Sequence, residues 1–176
     1  MAAQPSIGTA SSSARQNKNS SQFVGFQIAD QEYAFPIEQI REIVVLDKVT
    51  RTPQVPDYCE GVSNLRGSII PIINVRKLFG LDPTPVDGET RIIVVQVGDK
   101  VMGCTVDTVS QVIRIPEESI QPAPETVTAG GANYISGFAR IEERLVILLN
   151  INELLDPEQL DRIRKIPSLA TEKATS

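Results

Sequence analysis

The sequence has no histidine and no tryptophan, two cysteines, and an aromatic content of only 5% over 176 residues. The lack of histidine removes the commonest general base, the imidazole metal ligand and every Ser-His or Cys-His nucleophile pair, and it also excludes a phospho-accepting histidine. Cys59 and Cys104 stand far apart with no second thiol or imidazole nearby, so neither a zinc site nor a disulfide framework is expected; reduced, mostly buried thiols are. With few aromatic rings, the core must come from Val, Ile and Leu, which cluster mid-chain in the short runs that strands prefer.

Basic charge is also scarce. A net charge of -5 and a pI near 4.8 disfavour nucleic acid as a partner, because phosphate binding needs clustered Lys and Arg. Arg15 and Lys18, the one local positive excess, are too few for a membrane anchor and read as solvated. No stretch reaches the ~18 apolar residues of a membrane helix, and the Ala-, Ser-, Gln- and Asn-rich start lacks the apolar run of a secretory signal. These absences predict a cytoplasmic chain with no direct membrane insertion. Residues 1–21 and 167–176 are expected to be disordered tails.

Enzymatic signatures are missing too. No Walker loop is present, and Gly130-Gly131 lies in a Thr-, Ala- and Asn-rich stretch that reads as a flexible connection. Glu117-Glu118 and Glu142-Glu143 are neighbours on turns and read as solvated, not as a converging acid and base. Gly61-Val62-Ser63-Asn64-Leu65 has Leu where a nucleophile elbow needs its second Gly. No catalytic, cofactor or metal site is expected.

What is present is an internal repeat. Phe23-Val24-Gly25-Phe26-Gln27-Ile28-Ala29-Asp30 lies over Ile92-Ile93-Val94-Val95-Gln96-Val97-Gly98-Asp99, and the same offset brings Phe35 to Cys104, Ile40 to Val109 and Ile43 to Val112. After a region of different length, Ile69 to Val75 lies over Leu145 to Ile151, followed by Leu78-Phe79 over Leu154-Leu155. The first repeat spans about 23–79 and the second about 92–155.

Alternation of Val24, Phe26 and Ile28, repeated by Ile93, Val95 and Val97, predicts strands, and the Ala29–Glu32 and Gly98–Val101 tetrads predict a hairpin turn in each copy. Residues Ile37–Val44 carry helix-like spacing, but their counterparts Val106–Ile115 are β-branched, so a bent strand is predicted for both. A later hairpin closes each unit: Val62–Leu65 through Arg66-Gly67 into Ile69–Val75, and Ser136–Ile141 through Glu142-Glu143 into Leu145–Ile151. About five strands per copy, with too few residues for a sandwich each, predict an all-β fold of two small barrels, because closure removes exposed edges. Asp156-Pro157-Glu158 is a helix start, predicting a C-terminal helix over about 157–166 that Pro167 stops.

Gly61-Val62-Ser63-Asn64-Leu65-Arg66-Gly67-Ser68-Ile69-Ile70-Pro71-Ile72-Ile73-Asn74 resembles the signature of the CheW-like domain family: a glycine, an Asn-Leu-Arg-Gly turn and an apolar strand containing proline. It follows Ile40-Arg41-Glu42-Ile43 and the Pro53–Glu60 connection in the family's order, and the resemblance covers about Gln22 to Arg164, so residues 22–166 are taken as the domain. The resemblance implies two intertwined five-stranded SH3-like barrels around a shared apolar core. It also implies a non-catalytic chemotaxis adaptor, recruited to membrane receptor arrays, that couples the histidine kinase CheA to methyl-accepting chemoreceptors. CheA would bind through its own related domain, and the kinase-contact residues stay unassigned. For the receptor contact it carries over Arg66, Asn64, Gly67, Ile40 and Glu42. A CheW-like adaptor of another chemosensory pathway, for surface motility or development, is the alternative; a small-barrel ligand- or nucleic-acid-binding protein is a more distant one.

Overall fold

A computed structural model describes residues 20–155, except 47, 54, 130 and 131, together with 158 and 161. Eleven strands dominate it: β1 (Ser20–Ile28), β2 (Gln31–Pro36), β3 (Ile40–Val45), β4 (Cys59–Leu65), β5 (Ser68–Asn74), β6 (Arg91–Val97), β7 (Lys100–Val106), β8 (Thr108–Pro116), β9 (Ile120–Pro122), β10 (Ile135–Ile141) and β11 (Arg144–Leu149). Two single-turn helices, α1 (Val75–Leu78) and α2 (Glu125–Thr128), interrupt them. The all-β expectation holds. Of the C-terminal helix expected over 157–166 only Glu158 and Asp161 are described, and both are helical; the Gly130-Gly131 connection and the tail 167–176 lie outside the described residues, as does 1–19, whereas Ser20 and Ser21, expected as tail, are paired in β1 with Pro116 and Ile115.

The strands form two sheets, in the orders β8-β1-β2-β11-β10-β9 and β3-β6-β7-β5-β4. Each sheet mixes the two repeats: the opening hairpin of one copy completes the barrel of the other. In the first sheet β8 pairs with β1 and, after a 3-10 turn at Glu117–Ser119, the same chain pairs as β9 with β10, closing the ring. In the second sheet the chain beyond β3 returns to β4 through mutual Thr50 and Val62 backbone hydrogen bonds of 2.7 and 2.8 Å. We call these barrel A and barrel B. With β8 and β9 counted as one broken strand, each has five.

Pairing registers follow the sequence repeat residue by residue. Ala34 opposes Leu148 across a parallel pair in barrel A, and their repeat counterparts Gly103 and Ile72 oppose each other in barrel B. Even the β-bulges correspond, falling between Val24 and Phe26 against β8 and between Ile40 and Glu42 against β6. One expectation needs correction. Ile37–Gln39 is a 3-10 turn and not strand, because here the chain leaves barrel A for barrel B and must rotate between two sheets. Likewise Val75 and Ile151, expected at strand ends, begin a helical turn and a 3-10 turn, where the Asn74 and Asn150 side chains accept backbone N–H bonds.

Three apolar clusters hold this frame. Phe23, Ala34, Ile113, Ile115, Ala139, Val146 and Leu148 fill barrel A, while Ile70, Ile72, Ile92 and Val94 fill barrel B. The largest lies between the barrels and draws on both, including Phe26, Phe35, Ile73, Ile93, Met102, Leu149 and Leu154. Most of the few aromatic rings gather there: Phe79, following α1, stacks on Tyr134 at 4.9 Å and contacts Tyr33 at 5.3 Å, and Phe26 adjoins Tyr33 and Phe35. Neither cysteine is in a disulfide; both are buried, and burial pushes the Cys104 thiol up to about 12.

Candidate partner-binding site

The Arg66-Gly67 hairpin tip joins β4 to β5 with φ of +53° and +88°, the pair of positive angles that a type I′ turn requires. Glycine adopts this freely; arginine does so at a cost, and the Asn64 side chain offsets it by accepting the Gly67 N–H at 2.9 Å. Arg66 is thereby lifted clear of the barrel, its side chain 81% exposed. Glu42, from β3 across the mouth of barrel B, stands 3.0 Å from the Arg66 guanidinium, but without the alignment of a hydrogen bond. Three of the five residues expected at the receptor contact therefore form the tip itself, and Glu42 meets it.

Ile40 is placed differently. Its side chain packs onto the shared core, so most of its apolar surface is already used. The apolar groups presented on β3 are Ile43 and Val45, at 39% and 63% exposure, both on the outward parity with Arg41. The alternation in the sequence could have marked them: with Ile40 inward, unbroken period-2 alternation through Ile-Arg-Glu-Ile-Val-Val turns Arg41, Ile43 and Val45 outward.

The tip is asymmetric between repeats. Its counterpart joins β10 to β11 with Glu142 at φ +58°, so an acidic residue occupies the place of Arg66, and Gln111 that of Glu42. Elsewhere, no cluster of three or more His, Cys, Asp or Glu side chains suited to a metal occurs among the described residues. No described helix is long and apolar enough to cross a membrane.

An ion pair that is misaligned and has one partner, Arg66, largely in water contributes little to stability. Glu42→Gln is expected to shift unfolding free energy by no more than about 0.5 kcal/mol in a urea titration, leaving Arg66 free without harming the fold.

Comparison with known proteins places this geometry. The family profile of the CheW-like domain matches residues 22–159. The chain is 40% identical to the chemotaxis protein CheW of Helicobacter pylori over 84% of this chain and 88% of that protein. It is 38% identical to the chemotaxis protein CheW of Klebsiella aerogenes over 79% and 84%, and 27% identical to the protein FrzA of Myxococcus xanthus over 81% and 89%. Among solved structures, the scaffolding protein TtCheW of Thermoanaerobacter tengcongensis aligns with a TM-score of 0.73 and 32% identity, covering 79% of this chain and 94% of that one. The interleaved barrels, the Asn-Leu-Arg-Gly tip and these likenesses agree: the chain belongs to the CheW-like domain family.

Proposed function

We propose that this chain is a non-catalytic chemotaxis adaptor that joins the kinase CheA to the cytoplasmic tips of methyl-accepting chemoreceptors, at arrays on the membrane, and lets receptor state control kinase activity. The observation that carries the receptor half is the Arg66 tip: an exposed five-donor guanidinium, on the same barrel as the exposed apolar Ile43 and Val45 of β3, suited to carboxylates and carbonyls on a helical hairpin. Asn64 and Gly67 hold the tip, Glu42 can release Arg66 to a partner, and Ile40 braces β3 from beneath.

Binding both partners at once raises the kinase's effective concentration at the receptor. Receptor conformations that hold the adaptor–kinase unit with different affinity shift the kinase between active and inactive populations, which is a coupling free energy and needs no chemistry in this chain. ATP and its metal act in the kinase.

Co-sedimentation with chemoreceptor-bearing membranes, with and without CheA, tests this. The chain is expected to pellet with receptor membranes, carry CheA with it and raise autophosphorylation. A chain that binds neither partner would be the adaptor of another chemosensory pathway, the reading with which the likeness to the protein FrzA is compatible.

A further inference from the structure

Among the described residues, the chain passes between the barrels twice. It leaves barrel A for barrel B after β2, through Ile37–Gln39, and returns from β7 to β8 through the single residue Asp107. The two passages are counterparts in the repeat, with Glu38 corresponding to Asp107, yet they are built differently.

Asp107 is fixed from three sides. Its backbone N–H donates to the Gln27 carbonyl at 3.1 Å, its Oδ2 accepts the Ala29 N–H at 2.8 Å, and its carboxylate receives Arg76 in a fork, Nε to Oδ1 at 2.9 Å and Nη2 to Oδ2 at 2.8 Å. Arg76 in turn donates from Nη1 to the Asp82 carbonyl at 2.8 Å, tying in the segment that links the two repeats. Gln27 and Ala29 belong to the opening hairpin of barrel A, whereas Arg76 lies on α1, which follows β5 of barrel B. One carboxylate thus joins both barrels and the linking segment. The pair is partly shielded, at 17% and 28% side-chain exposure, and Arg76 holds the Asp107 carboxyl below the usual carboxylate range. At the counterpart corner, Gly98 and Asn152 occupy the places of Ala29 and Arg76, and no side-chain hydrogen bond or ion pair joins either to Glu38.

Apolar contact is non-directional, so the shared core holds the barrels together while tolerating small rotations; a forked Arg–carboxylate pair fixes direction as well as distance. We propose that the Arg76–Asp107 knot pins the two barrels at one of their two covalent crossings, leaving the 37–39 crossing as the compliant one, so that this corner sets the angle between the barrels. Under the adaptor reading, on which this consequence rests, one chain holds both partners at once, and that angle is what one partner can change for the other.

The test uses spin labels at exposed Ser68 on barrel B and Ser110 on barrel A, both replaced by Cys, with mass spectrometry confirming that buried Cys59 and Cys104 remain unlabelled. The parent chain is expected to give one narrow distance distribution. Asp107→Ala and Arg76→Gln are each expected to broaden it about twofold, with exchange of the Ala29 amide about tenfold faster in Asp107→Ala, while Arg76→Lys broadens it less. Glu32→Gln, which breaks the 3.0 Å Glu32–Arg144 pair within barrel A, is the control and should leave the distribution unchanged. An unchanged width in Arg76→Gln, or equal broadening in Glu32→Gln, would overturn the proposal. If Asp107→Ala does not fold, Arg76→Gln decides alone. Because the distances are read on the free chain, failure of the knot is distinguishable from failure of the adaptor reading, which shows instead as loss of partner binding.

Discussion

Arg66→Glu is expected to fold normally, melt within about 2 °C of the parent chain, and bind receptor membranes at least about 30-fold more weakly while its affinity for CheA stays within about twofold. The fold should be indifferent for a reason internal to the protein: Glu142 already occupies the counterpart tip in the second repeat at φ +58°, so glutamate is compatible with this turn. The side chain is also largely in water, so reversing its charge beside Glu42 costs little before a partner arrives. On docking the situation changes. A carboxylate or carbonyl of the receptor that Arg66 would have met with a planar fork now faces a carboxylate in a desolvated contact, and burying like charges costs far more than losing one hydrogen bond. Isothermal titration with a soluble receptor fragment and, separately, with the kinase's CheW-related domain checks both halves. Equal weakening of both partners would make the tip a general stabiliser of the surface and not a receptor contact.

Much of this fold was legible because its information is local. Hairpins announced themselves through Ala29-Asp30, Gly98-Asp99 and Arg66-Gly67, and the repeat register survives intact as strand pairing, down to Ala34 with Leu148 and Gly103 with Ile72. Periodicity is silent on which barrel a hairpin completes. Val24 to Ile28 would alternate in the same way whether β1 joined its own repeat or the other, and only the resemblance implied the exchange. The 3-10 turn at Ile37–Gln39 was missed because its cause is the passage between sheets, a tertiary demand acting on residues whose own preferences were mixed. Within the site, Asn64, Arg66 and Gly67 are one local motif. The meeting of Arg66 with Glu42, and of Arg76 with Asp107, depends on distant segments, and no short-range pattern encodes either.

Gly61→Ala is expected to be the more damaging of two counterpart substitutions in the closing seams. Gly61 sits at φ +138°, a conformation that L-residues with a side chain rarely adopt, and a Cβ there would collide with the Thr50 carbonyl oxygen and approach Arg51 Cα to 2.9 Å. Those atoms cannot move aside, since Thr50 is held by the reciprocal hydrogen bonds with Val62 that close barrel B. The strained backbone and the opened seam together should cost about 3 kcal/mol or more of unfolding free energy, a large share of a small domain's total. Gly137 is the counterpart in barrel A, with a Cβ position 2.6 Å from the Gln121 carbonyl oxygen but no positive φ. Its alanine variant meets the same kind of collision without the backbone strain, so a loss of about 1–3 kcal/mol is expected. Urea titrations followed by far-UV circular dichroism measure both. Because barrel A contains β1 and β2 of the first repeat and barrel B contains β6 and β7 of the second, opening either seam should loosen both barrels, and each variant should unfold in a single transition. A biphasic curve for Gly61→Ala, with barrel A surviving barrel B, would show that the shared core is too weak to make the interleaved barrels one cooperative unit.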